Sequence, residues 1–222
     1  SGGSRVQTMD GSAPSTHGSH VAGTLIASGG NPTAKGMAPA ASIRSYDWDF
    51  ELSEMAAEAA SGLLISNHSY AYLAGWEAYG SANYWFGWDY LSPTEDYLFG
   101  FYYSQTRAWD LIAEAAPYYL IVKAAGNDRG ENLNGPHYFW DGSAYTLSNA
   151  VRDADGGTDG FDSMLPRGNA KNILTVGAVN DVPNYTGPSD VNLYSGSCWG
   201  PTDDGRIKPD LVANGVGLFS SS

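Results

Sequence analysis

Two imidazoles three residues apart, His17 and His20, stand among small residues in Ser15-Thr16-His17-Gly18-Ser19-His20-Val21-Ala22-Gly23-Thr24. Imidazole changes charge near neutral pH, so a histidine at the mouth of a helix is suited to moving a proton. The same pair could instead bind a metal, but the HExxH arrangement is absent and no third ligand is evident, so no metal site is expected there. The single cysteine, Cys198, lies between Ser197 and Trp199 without a local base or cationic setting. It reads as a small buried side chain rather than a nucleophile, and it excludes an internal disulfide. Asp153, Asp155, Asp159 and Asp162 could gather around calcium, a hard cation that takes several oxygen ligands. Their spacing does not match the EF-hand loop, so structural calcium stays open beside solvated loop carboxylates and helix caps.

These groups need elements to hold them. Residues 1–14 are polar and rich in Gly, Ser and Pro and predict a loop. From His17 to about Ser28, Val21, Ala22, Leu25 and Ile26 fit a buried helix with Ser15 or Thr16 as N-cap. Ala41 to Trp48 predicts a strand, Leu52 to Ser61 an amphipathic helix and Leu63 to Asn67 a second strand. This rhythm implies parallel pairing through crossover connections. Ser104 to Ala115 predicts a helix with Trp109, Ile112 and Ala116 toward the core, stopped by Pro117. Tyr118 to Ala124 predicts a buried strand that runs into Ala125-Gly126-Asn127-Asp128. Asn172 to Val179 predicts another strand, Asn192 to Ser197 admits one more, and Leu211 begins a final extended run.

Two stretches resist periodicity. About 72–103 is an aromatic-rich insertion holding Trp76, Trp85, Phe86 and Trp88, and it predicts a long ordered loop that either covers core or binds peptide or sugar by stacking. Arg129 to Gly168, rich in Gly, Asn and Asp, also predicts loop. With 222 residues and no evident linker, residues 1–222 read as a single domain. The formal charge of −13, from 24 acidic against 11 basic residues, argues against nucleic acid as a partner. No apolar run reaches membrane-spanning length and no signal-peptide pattern opens the chain, whose start, Ser1-Gly2-Gly3-Ser4, reads as a cut edge.

Three separated stretches, taken in order, resemble the subtilisin-like serine peptidases. They are His-Gly-Ser-His-Val-Ala-Gly-Thr at 17–24, Ala-Ala-Gly-Asn at 124–127, and Trp-Gly-Pro-Thr-Asp-Asp-Gly-Arg-Ile-Lys-Pro-Asp at 199–210. Gly36-Met37-Ala38-Pro39, Ser66-Asn67-His68-Ser69 and the run from Ala170 to Val179 match as well. The resemblance implies an α/β three-layer fold with a mainly parallel sheet flanked by helices, incomplete at both ends. It implies a secreted or cell-surface endopeptidase acting on protein or peptide substrates through an acyl-enzyme.

On that resemblance His17 is the general base, His20 is structural and Asn127 is the oxyanion-hole donor. Ser69, Tyr70 and Ala71, with Ala124, Ala125 and Gly126, line the primary specificity pocket and offer main-chain hydrogen bonds to an extended substrate. Tyr70 and Ala71 depart from the family's usual Leu-Gly, which leaves the pocket's preference open. No cofactor is required for this chemistry. The family's Asp-x-Gly and Gly-Thr-Ser-Met-Ala motifs are not in the sequence, since Asp10 is too near His17 and Ser220, Ser221 and Ser222 lack that context. These residues alone are therefore expected to be inactive, and the remaining parts of the catalytic domain are implied partners. The alternative expectation is a non-catalytic module that binds peptide or glycan through its aromatic segment.

Overall fold

The computed structural model describes residues 5–13, 15–157 and 159–221. The expectations for residues 1–4 and Ser222 lie outside the described residues. Contacts divide the chain into two units, residues 1–54 with 217–222, and residues 55–216.

In the first unit β1 (Val6–Thr8) pairs in parallel with β2 (Ile43–Ser45). The strand β1 falls inside a stretch expected to be loop, because three exposed residues carry no periodic signal. Between them α1 (Thr16–Ile26) begins where the Ser15 side chain accepts a hydrogen bond from Gly18 N at 2.9 Å, satisfying a first-turn donor. The helix ends at Ala27, whose N–H returns to Gly23 O. The chain then becomes α2 (Glu51–Ala60), rich in alanine and with no residue to strain it.

The second unit is built on the parallel sheet that the strand and helix rhythm implies. β3 (Ile65–His68), β6 (Leu120–Ala124), β9 (Leu174–Asn180) and β10 (Leu211–Val216) lie in the order β10-β9-β6-β3, every pair parallel. This gives the mainly parallel α/β architecture. Between β3 and β6 runs a hairpin of β4 (Trp76–Tyr79) and β5 (Ala82–Trp85), followed by α3 (Ser104–Ala115). Trp109 of α3 is fully buried and packs its ring 4.8 Å from that of His68, which ties the helix to the sheet. The expected helix is therefore found, with Thr106, Trp109, Asp110 and Ala113 as its buried face and Ile112 and Ala116 only half-buried. Between β6 and β9 runs a second hairpin, β7 (His137–Trp140) and β8 (Tyr145–Ser148).

The two hairpins merge. β5 pairs in parallel with β7, and the result is a second four-stranded sheet ordered β4-β5-β7-β8. This corrects the expectation of long loops at about 72–103 and 129–168. Alternation is present once the pairing is known: Trp76 faces Trp85 across the strands, both buried with ring centroids 5.2 Å apart, while Tyr84 and Tyr138 pair on the other face at 5.5 Å. Aromatic pairs of this kind contribute about 0.5–1.5 kcal/mol beyond area burial. The strand admitted at Asn192 to Ser197 reduces to one bridge, Leu193 against Val179.

Candidate functional site

His17 sits in the first turn of α1 and is exposed. Its helix is held by two serines far along the chain: Ser220 Oγ donates to His20 O at 2.6 Å and Ser221 Oγ donates to Ser19 O at 2.8 Å. Gly23 makes this approach possible, since a β-carbon there would collide with Ser220 Oγ and with both Oγ and N of Ser221. The small residues around the two histidines therefore have a packing use. His20 is exposed, and its carbonyl also accepts from Thr24 Oγ1 at 3.0 Å.

The other candidates converge in the second unit. The register sets His68 opposite Lys123, so Ser69-Tyr70-Ala71 and Ala124-Ala125-Gly126-Asn127 leave the sheet side by side at the C-terminal ends of β3 and β6. In open parallel sheets that edge is where ligands bind. Ala125 N donates to Val176 O at 2.9 Å, which continues the sheet by one residue. Gly126 has φ +118° and its carbonyl accepts from Cys198 N at 3.2 Å. Asn127, exposed, follows this turn, and its carbonyl lies against Gly196 so closely that a β-carbon there would overlap it. Arg129 N donates to Gly196 O at 3.2 Å, and the Arg129 guanidinium stacks 3.8 Å above the Trp199 ring. The turn that presents Asn127 is thus clamped to the 194–199 segment. Cys198 lies beneath it, buried, its thiol pushed up to about 11, chiefly by burial and then by the charge of Asp128. A thiol so protonated is structural, as expected.

Sequence reading missed the charged floor below this edge. Lys123 and Arg167 are buried, 3% and 7% exposed, and both border a cavity of about 30 Å³ that reaches Ala71 and Tyr72. Lys123 Nζ donates to Ala124 O at 3.0 Å. Arg167 lies 4.0 Å over the Tyr72 ring, donates to Tyr72 Oη at 2.6 Å and to Gln105 Oε1 at 2.9 Å. His68, its ring bonded to Ser66 Oγ and Tyr70 Oη at 2.8 Å each, has its pKa lowered to about 4 by burial, then by the charges of Lys123 and Arg167. One signal was available: Ile121 and Lys123 share one face of a strand by its period of two, and Ile121 is a core residue.

The aspartates weighed as calcium ligands have diverged. Asp155 is buried and accepts from Trp76 N through both carboxylate oxygens, at 3.1 and 3.2 Å. Asp159 is exposed, and Asp162 is half-buried with its pKa raised to about 7, mainly by burial and then by Asp203 and Glu95. Among the described residues no group of three or more His, Cys, Asp or Glu side chains is placed to hold a metal ion. No helix is long and apolar enough to cross a membrane among the described residues.

A family model described as the subtilase family of S8 peptidases matches residues 4–222. No curated protein matches the chain.

Proposed function

The chain belongs to the subtilase family, a family of serine peptidases that act on proteins, and on that premise we propose a secreted or cell-surface endopeptidase working through an acyl-enzyme. The observation that carries this reading is the strand-end edge: Ser69–Ala71 and Ala124–Asn127 emerge side by side from adjacent parallel strands. An extended peptide laid along those segments would meet main-chain groups on both sides. The Asn127 amide would then donate to the carbonyl oxygen as it becomes negative, and His17 would take the proton from a serine hydroxyl and return it to the leaving amine. Side chains suffice for this route, and structural calcium would serve only stability. No serine among the 222 residues lies in the Gly-Thr-Ser-Met-Ala context, so these residues by themselves are proposed to bind a peptide without turning it over.

A fluorophosphonate probe, which reacts with activated serines, tests this on the natural gene product and on the 222 residues alone. Labelling of the former, lost in His17→Ala and reduced in Asn127→Ala without unfolding, is the expected result. Absence of labelling in a folded, processed product that carries the serine motif would sink the peptidase reading. It would favour the second reading, a non-catalytic module, for which the partly exposed aromatic face of Tyr84, Tyr138, Trp140 and Tyr145 offers a stacking surface for peptide or glycan.

A further inference from the structure

The two faces of the second sheet meet different surroundings. Trp76, Trp85 and His137 point inward and are buried, so by the strand period of two Glu77, Tyr79, Tyr84 and Tyr138 point outward. The outward rings do not lie flat. Tyr145 stands at 88° to Tyr84 with centroids 5.5 Å apart and Tyr79 at 86° and 6.5 Å, while Phe86 and Tyr138 are inclined to it by only 26° and 31°, at 6.1 and 5.5 Å. Rings at right angles form walls, between which a compact group can meet more than one π-face; a sugar, which stacks on one open aromatic plane, fits them less well. On the inward side a cation already uses such rings, the Arg152 guanidinium lying 5.0 Å from the Trp85 ring and 5.4 Å from that of Phe139. The other stacked cations lie on Trp199, Tyr72 and Tyr102, so among the described residues none covers the outward face.

A carboxylate stands among these rings. Glu77 is directly opposite Tyr84 in the antiparallel pair of β4 and β5, where facing β-carbons lie about 4.5–5.5 Å apart. It is half-buried, and among the described residues it belongs to no salt bridge. Burial, then the like charges of Asp128 and Glu131, push it up to about 7, the response of a carboxylate without a counter-charge. Negative π-faces and an uncompensated carboxylate select the same kind of partner, and a chain of net charge −13 draws that partner in. We propose that the outward face of the second sheet is a docking surface for a basic peptide segment, seating an arginine or lysine side chain against Tyr84 and Tyr145 with its charge on Glu77. Arginine suits it better, because a guanidinium is planar, weakly hydrated and stacks on aromatic faces. The proposal uses none of the residues of the peptidase reading and is independent of it.

The test is fluorescence polarisation with fluorescein-Gly-Ser-X-Ser-Gly-amide peptides, X being Arg, Lys, Gln or Phe, titrated with the 222-residue chain in about 0.15 M salt at about pH 8, where Glu77 is largely ionised. The Arg peptide is expected to bind about tenfold more tightly than the Gln peptide, with Lys between them. Glu77→Gln and Tyr145→Leu should each weaken the Arg peptide about fivefold and leave the Gln peptide unchanged, while Tyr145→Phe keeps the preference. Glu114→Gln, which removes an exposed acid of α3, should change nothing. Should Tyr145→Leu fail to fold by circular dichroism, the comparison of Glu77→Gln with Glu114→Gln decides. Equal binding of the Arg and Gln peptides, or tightest binding of Phe, overturns the proposal. Equal losses in Glu77→Gln and Glu114→Gln overturn it as well, since they reveal only diffuse attraction to an acidic chain, and displacement of the Arg peptide by cellotetraose would assign the face to a glycan instead. Fluorophosphonate labelling tests the peptidase reading separately from all of these outcomes.

Discussion

Arg152 Nε donates to His137 Nε2 at 3.1 Å, with both side chains buried. Nε2 must therefore be the acceptor, and the proton sits on Nδ1, which donates to Gly135 O at 2.8 Å. The neutral His137 ring, 4.8 Å from Trp76, orients a guanidinium whose charge is met by Asp89 through two bonds of 2.6 and 2.9 Å. This arrangement spans residues 63 apart and holds the turn after β5 to the chain after β8.

Removing one partner leaves the other charge stranded. Asp89→Ala should destabilise the protein by roughly 3 kcal/mol, since Arg152 has no exposed side-chain surface to rehydrate. Urea unfolding monitored by tryptophan fluorescence checks this. A loss below about 1 kcal/mol, the range of a surface ion pair, would show that the bidentate contact is not retained in solution.

His68 should remain neutral well below the ordinary histidine range. Its folded pKa, about 4, lies below the unfolded value near 6.5, so the unfolded state binds the extra proton between these limits. Its contribution is fully present above about pH 6.5 and is lost as pH falls toward 4, on the order of 3 kcal/mol. A ring-nitrogen NMR titration gives the midpoint directly, and a midpoint near 6.5 would contradict the buried cationic surroundings.

Asp155 works in the opposite direction. Its pKa is raised to about 9 by burial first, with Asp128, Glu131 and Asp96 adding repulsion, whereas the unfolded group titrates near 3.8. The folded state thus holds a proton that the unfolded state releases, and stability present below about pH 4 declines as pH rises toward 9. Asp155→Asn retains an oxygen to accept from Trp76 N and should flatten that decline. Melting temperatures at pH 5 and pH 8.5 measure it, and an unchanged slope would place the pH dependence elsewhere.

Gly126→Ala should disturb the turn that carries Asn127. Its φ of +118° disfavours a side chain, and a β-carbon would lie 2.8 Å from Cys198 Sγ. A cost of about 1–3 kcal/mol is expected. The double variant with Cys198→Ala should recover the collision part of that loss and none of the backbone part. Denaturant midpoints of the two variants separate the contributions, and equal midpoints would rule out the Sγ contact.

The sequence by itself determined the family, the helix that bears His17 and the four parallel strands. Each rests on local information: the capping side chain of Ser15, the apolar run into Ala124, and motifs whose residues are neighbours along the chain. It also placed Ser69–Ala71 and Ala124–Asn127 correctly at strand ends, because strand limits follow from where apolar runs stop. Tertiary structure alone decided what surrounds them. The aromatic segment looked aperiodic because β5 is completed by β7, more than fifty residues later, and alternation acquires meaning only when the partner strand fixes which face is buried. Lys123 falls in the predicted strand Tyr118 to Ala124 and Arg167 in the predicted loop from Arg129 to Gly168; that both are buried around one cavity beside Ala71 depends on the packing of three chain segments. Charge burial is a property of the assembled surroundings; the strand's period of two pointed to it for Lys123 beside Ile121, and no local pattern did so for Arg167.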